Sequence, residues 1–311
     1  TAITPGVEWL DTNNEKINAH GGGILYHEGI YYWYGECKSD STYWNPNVPG
    51  WECYRTEAGG VNCYSSKDLL NWKYEGLVLQ PEMSDTQSDL HPSKVLERPK
   101  VIYNDKTKKF VMWLHVDSDD YNKAAAGVAV SDSPTGVFTY LGSMHPNGQI
   151  KDDDGKAYHI YSSEQNSTLY ISLLSDDYLK PSGTFTRNFA GKFREAPAVF
   201  KHNGLYYVIS SGCTGWSPNE AEYAVATQIL GPWTVKGNPC VGKDADKTFY
   251  GQSTHVLPVQ GKKDAYIAMF DKWNKTDLIH STYIWLPIQF REDGSMAIQW
   301  LDSWSPDTYE F

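Results

Sequence analysis

The sequence predicts an all-β fold: a five-bladed β-propeller of four-stranded antiparallel blades around a central channel. Three observations predict it. A hairpin-like unit recurs five times along the 311 residues, helical periodicity is nearly absent, and the turns carry Gly, Asn or Asp. Five units of about four short strands each are the mark of radial repetition. A sandwich accommodates the strands but gives no reason for five similar units. One domain spanning 1–311 is expected, because propellers of this length share one core.

The five units read "GGGILYHEGIYYWYGE" (21–36), "PKVIYNDKTKKFVMWLHVD" (99–117), "QIKDDDGKAYHIYSS" (149–163), "PAVFKHNGLYYVISSG" (197–212) and "THVLPVQGKKDAYIAMFD" (254–271). Each holds a tight-turn residue between two apolar runs. Each is followed by further strand-like sequence, such as "GVNCYSSKDLLNWKYEG" (60–76) and "AGVAVSDSPTGVFTYLG" (126–142). In a propeller the first strand of every blade lines the channel, so the heads of those strands converge. Counting back eight residues from the first turn residue gives His20, Glu97, Pro146, Glu195 and Gln252. Four of the five are polar, and "ERP" (97–99) and "EAP" (195–197) repeat one pattern. A carboxylate in front of an apolar strand then has a reason: it faces a shared polar funnel. The plainer reading pairs Glu97 and Glu195 with Arg98 and Arg194 as surface salt bridges.

Composition narrows the chemistry. Net charge is −11, which repels nucleic acid and anionic membranes and argues against both as partners. No run of 18 apolar residues is present, so no transmembrane helix is expected. The 12 Trp and 22 Tyr suit either stacking on sugar rings or a β-sheet core. The five cysteines (Cys37, Cys53, Cys63, Cys213 and Cys240) contain no CxxC pair, so zinc is not expected and at most two disulfides fit; Cys37 with Cys53 or Cys63 and free thiols are both open. No GxSxG motif supports a serine hydrolase. "DDD" (152–154) reads as a solvated turn, and the glycines of "HGGG" (20–23) as room for a sugar to approach the backbone.

Two carboxyl groups and an amide facing one cavity suit glycoside hydrolysis, in which one group protonates the leaving oxygen and another places water or a nucleophile. Burial and a nearby Glu97 would raise the pKa of Glu195, as a general acid needs.

"HGGGILYHEGIYYWYGE", "ERPKVIYN", "REAPAVFKHNGLYYVISSGCTGW" and "FYGQSTHVLPV" resemble glycoside hydrolase family 43, and within it the exo-β-1,3-galactanases, over nearly the whole chain. The resemblance implies a secreted, inverting exo-hydrolase that releases galactose from β-1,3-galactan, the arabinogalactan backbone. It assigns the general acid to Glu195 and water placement to Gln252, with Glu97 as the competing candidate. Sugar contacts carry over to His20, Gly21, Glu52, Arg98, Tyr121, Asn166, Thr214 and Trp216, and segment 40–58 becomes a lip closing one end of the site. No cofactor is required; the family allows a calcium in the channel, although the sequence offers no dedicated ligand set. A carbohydrate-binding module in the native chain is compatible with it. One departure stands out. The family places an Asp at the head of the third blade, where the eight-residue count here lands on Pro146; Asp152 is too near the turn, and His145 is a different group. A non-catalytic galactan-binding propeller and a family 43 arabinofuranosidase or xylosidase are therefore carried as alternatives.

Overall fold

The computed structural model describes residues 1–145 and 150–311, without the side chains of 150 and 151. The chain is all-β. The first sheet is β1 (His20–His27), β2 (Ile30–Trp44), β3 (Tyr54–Ser66) and β4 (Lys73–Leu79). The second is β5 (Val95–Asn104), β6 (Lys109–Asp117), β7 (Ala125–Ser131) and β8 (Thr139–Met144). The third is β9 (Ile150–Lys151), β10 (Ala157–Ser163), β11 (Thr168–Leu174) and β12 (Pro181–Asn188). The fourth is β13 (Arg194–His202), β14 (Leu205–Gly212), β15 (Glu222–Ala226) and β16 (Thr234–Gly237). After β17 (Cys240–Val241), β18 (Gln252–Pro258), β19 (Tyr266–Lys272) and β20 (Thr282–Pro287) make a three-stranded sheet, and β17 joins β21 (Gln289–Phe290) and β22 (Met296–Gln299). Every four-stranded sheet is an antiparallel meander in chain order, as short turns between neighbouring strands dictate.

The apolar faces meet in five clusters that join neighbouring sheets, and the cluster of Phe200 and Phe270 also takes in Met296 and Ile298 of β22. Tyr34 and Val61 pack on Val101 and Met112 between the first and second sheets. Trp113 meets Ala157 and Leu174 between the second and third, and Tyr158 and Ile171 meet Tyr206 between the third and fourth. Phe200 and Tyr207 pack on Val256 and Phe270, and Trp33 packs on Met269 and Trp285, which returns the series from the last sheet to the first. The chain ends close the same region through a backbone bridge from Ile3 to Trp304.

The aromatic surplus divides by place. Trp33 packs at 4.8 Å from both Tyr283 and Trp285 and at 5.3 Å from Trp72, deep in the core. Trp51, Trp216 and Trp273 gather instead near the mouths of the inner strands. All five cysteines are free thiols, so neither pairing open to Cys37 forms.

Candidate active site

The heads of the inner strands carry a shared local device. The pairing register shifts between His20 and Gly23 in β1, between Glu97 and Lys100 in β5, between Glu195 and Ala198 in β13, and between Ser253 and His255 in β18. In the first three the next residue is left-handed: Gly21 at φ 56°, Arg98 at 53° and Ala196 at 54°. Such a conformation costs a residue with a Cβ about 1 kcal/mol, and the surrounding sheet sustains it. A bulge with a left-handed residue re-aims the side chain before it. In β5 and β13 that side chain is a glutamate, and both glutamates line one cavity. The repeated spacing was readable in the sequence; the bulges were not, because Arg98 and Ala196 carry no glycine signal.

A cavity of about 730 Å³ opens where these strands converge. Glu195, Gln252, Glu97, Arg98, Glu52, Tyr121, Asn166, Thr214 and Trp216 all line it, so nine of the eleven residues singled out from sequence are brought together. His20 and Gly21 are not, and their expected contact with sugar is corrected here. His20 is wholly buried, stacked 5.3 Å from Tyr283 under Trp273. Burial, with the charge of Lys38, drives its imidazole well below the usual range, so it is neutral. Gly21 makes room for protein, not ligand: a Cβ there would lie 2.0 Å from Glu36 Oε2. Gly22 would place one 1.9 Å from the Tyr34 carbonyl oxygen. The head of the third sheet, Pro146, lies outside the described residues. His145 hydrogen-bonds the Ala124 carbonyl at 2.6 Å and does not line the cavity. Asp152 sits by the turn, accepting from Tyr206 at 2.5 Å.

Gln252 is held at all four of its hydrogen-bonding positions. Its Oε1 accepts from Arg98 Nη2 at 2.6 Å and from Trp273 Nε1 at 2.9 Å. Its Nε2 donates to Glu195 Oε1 at 3.1 Å and to Ser211 Oγ at 2.9 Å. This exhausts a primary amide. Burial pushes the Glu195 carboxyl up; the Arg98 charge and the Cys213 and Gln252 hydrogen bonds pull against it, and Glu97 adds to the rise. Glu195 is thus set toward its protonated form.

Glu97 is set the other way. Its Oε1 accepts from Tyr121 Oη at 2.7 Å and its Oε2 pairs with His115 Nδ1 at 3.3 Å. Burial opposes ionisation, but the His115 hydrogen bond and charge outweigh it and hold Glu97 well below the usual carboxylate range. The plainer expectation, pairing with the adjacent arginines, fails: Arg98 reaches Gln252 and the Ser253 carbonyl, and Arg194 reaches Ser210.

The rim is aromatic. Trp51, in segment 40–58, lies 5.7 Å from Tyr121 and 6.3 Å from Trp216, and Glu52 pairs with Lys275 across the opening. Trp216 donates to the Tyr54 carbonyl at 2.9 Å, which ties the lip to the "GCTGW" turn. His115, Asp117, Ser211, Trp51 and Trp273 escaped the sequence reading. "HVD" (115–117) at the end of an apolar strand was the one available signal.

Among the described residues no group of three or more His, Cys, Asp or Glu side chains is arranged to hold a metal. The Gly21 carbonyl and the Thr254 hydroxyl lie 2.9 and 3.2 Å from the Lys100 ammonium. Burial, with the Arg98 charge, brings Lys100 down to about 7. That donor set does not fit the calcium the family allows, which needs six or more oxygens.

A carboxyl raised by burial and a carboxylate held low by His115, lining one cavity with Trp51 and Trp216, define a site for carbohydrate chemistry. The chain belongs to the glycosyl hydrolases of family 43, whose family model matches residues 24–296. A family 43 β-1,3-galactosidase solved with galactodeoxynojirimycin is 44% identical, with a TM-score of 0.88 over 97% of this chain and 100% of that one. An exo-β-1,3-galactanase from Phanerochaete chrysosporium solved with β-1,3-galactotriose is 35% identical, with a TM-score of 0.86 over 98% of this chain and 68% of that one. A non-reducing end α-L-arabinofuranosidase from Bacteroides ovatus is 26% identical over 189 residues, 56% of this chain. The chain spans 33% of the length of that curated relative.

Proposed function

We propose that this protein is an exo-acting, inverting hydrolase that releases galactose from the non-reducing end of β-1,3-galactan. The observation that carries the reading is the meeting of Glu195, Gln252 and Glu97, from three separate sheets, in one aromatic-rimmed cavity. The likeness to β-1,3-galactosidases and exo-β-1,3-galactanases over nearly the full chain supports the substrate. The five clusters that run from sheet to sheet and back to the first support five blades around a channel and one domain over 1–311. Galactan is a polymer met outside the cell, so the reading carries an extracellular location with it.

Glu195 acts as general acid, giving its proton to the glycosidic oxygen as the bond breaks. Gln252 keeps the Glu195 carboxyl aimed, and Arg98 and Trp273 keep Gln252 in place. Glu97, ionised and fixed, accepts sugar hydroxyls. A carboxylate this acidic is a weak base and a saturated amide is weaker still. The saturated amide has no position left for water, so Glu97 places the attacking water through its free lone pairs. The oxocarbenium-like transition state asks little basicity of it, and the oxonium formed on attack gives its proton to Glu97 and on to solvent. Glu97, bound to His115 and Tyr121, is fixed to hold water and sugar hydroxyls rather than to attack, which favours a single displacement with inversion.

The test is a time course of products from debranched β-1,3-galactan. Galactose alone from the first minutes, released as the α-anomer, supports the reading. Longer oligosaccharides would replace exo- by endo-action. Binding without release would make the protein a galactan-binding propeller, and arabinose release from an arabinofuranoside with none from galactan would make it an arabinofuranosidase.

A further inference from the structure

Glu97 belongs to a closed ring of hydrogen bonds. Beyond its bonds to Tyr121 and His115, His115 Nε2 meets Asp117 Oδ2 at 2.8 Å. Asp117, only 2% exposed, accepts through Oδ1 from the backbone N–H groups of Ser118 and Ala124, both at 2.9 Å. Those two residues bound the loop that carries Tyr121, itself at φ 60°. The ring thus runs from Glu97 through His115, Asp117 and the loop to Tyr121, and back to Glu97. Glu97, His115, Asp117, Tyr121 and Ala124 all line the cavity.

An imidazole with a carboxylate at each nitrogen donates from both and is therefore protonated. Burial opposes this, but Asp117 and Glu97 outweigh it and push His115 up to about 10. Other elements also face this cluster. Lys38 of β2 adds positive charge beside Glu97. Arg55 of β3 lies 5.8 Å over the Tyr121 ring. Glu195 of β13, the neutral thiol of Cys53, and Glu36, Glu57, Lys94 and Arg98, which line cavities that Glu97 also lines, are further charged and titratable neighbours. An ionised carboxylate has about four lone-pair directions. Tyr121 and His115 take two, which leaves two for the cavity.

We propose that His115 and Asp117 are positioning residues that hold Glu97 ionised and oriented so that it accepts a hydroxyl of the terminal sugar. The inference rests on the reading of Glu97 as a sugar-hydroxyl acceptor. Neither His115 nor Asp117 touches the reacting atoms; both act through Glu97.

The test is calorimetric titration of galactose into the full chain from pH 5 to pH 8. All variants carry Glu195→Gln, so that the acid does not titrate, and affinities are taken as ratios to that parent. His115→Phe keeps the ring and removes the cation. Glu97 then titrates within the range, and relative affinity is expected to fall about tenfold from pH 8 to pH 5. Adding Glu97→Gln to His115→Phe erases the slope. A lost packing contact would lower affinity equally at every pH, so a flat His115→Phe ratio overturns the proposal. Glu97→Gln that binds galactose as well as the parent overturns the underlying reading of Glu97, and the inference with it. A second measurement leaves His115 in place. Imidazole NMR of the wild type should show His115 protonated at pH 8, and Asp117→Asn should lower its titration by more than about one unit. A neutral His115 at pH 7 in the wild type overturns the proposal.

Discussion

Gln252→Glu tests the coupling between residue 252 and the Glu195 carboxyl. The amide nitrogen donates to Glu195 Oε1 from 3.1 Å and to Ser211 from 2.9 Å. Replacing it with oxygen turns the first of these into a contact between two carboxyl groups. Two full charges 3.1 Å apart repel by about 5 kcal/mol at an effective dielectric constant of about 20. At about 1.4 kcal/mol per unit that is on the order of four pKa units. Arg98 and Trp273 still hold the other oxygen and absorb part of this. The pair then shares one proton and titrates as a unit. The assay is the pH profile of kcat/KM for galactose release from β-1,3-galactotriose, with the basic limb reporting loss of the acid's proton. That limb should move up by about two units. An unmoved limb would refute the claim that Gln252 acts on Glu195.

Other substitutions test the frame around the site. Gly22→Ala places a methyl 1.9 Å from the Tyr34 carbonyl oxygen, where backbone and not a side chain must yield; a loss of about 3 kcal/mol is expected, read as a lower denaturant midpoint, and an unchanged midpoint contradicts the packing. Burial raises the Asp271 carboxyl to about 7, with one oxygen accepting from the Gly21 N–H at 3.0 Å. A carboxyl raised on folding contributes stability that is full below about pH 4 and lost as pH rises through 7; Asp271→Asn should flatten the fall in Tm between pH 5 and pH 8, and parallel Tm curves would contradict this. Trp51→Ala removes the aromatic wall beside Trp216 and Tyr121, and KM for β-1,3-galactotriose should rise about fivefold, for about 1 kcal/mol of lost stacking, with kcat little changed; a fall in kcat at constant KM would place Trp51 in the chemistry instead.

The inner-strand heads were legible because repetition converts a weak signal into a strong one. A lone glutamate before a strand means little, but Glu97 and Glu195 at one distance from a turn imply convergence, and both line the cavity. The same count misplaced His20. Its register is right, at the head of β1, but spacing cannot show which side chain a neighbouring indole covers, and Trp273 lies 6.1 Å from the imidazole. The "HGGG" glycines were read as room for ligand, yet Glu36 and the β2 backbone occupy that room. A glycine reports a close approach without naming the visitor. The His115–Asp117 pair was hidden for another reason: its meaning lies in contacts to a different strand and to the loop after it. The tryptophans divide between core and rim, a division that composition cannot express.

The most direct measurement is galactose release from debranched β-1,3-galactan by wild type beside Glu195→Gln, with galactose binding followed in both. Release by the wild type is expected, with a loss on the order of a thousandfold in the variant, as removal of a general acid implies, and with binding retained. Release undiminished in Glu195→Gln would contradict the assignment of the acid, and no release by the wild type would contradict the reading as a hydrolase.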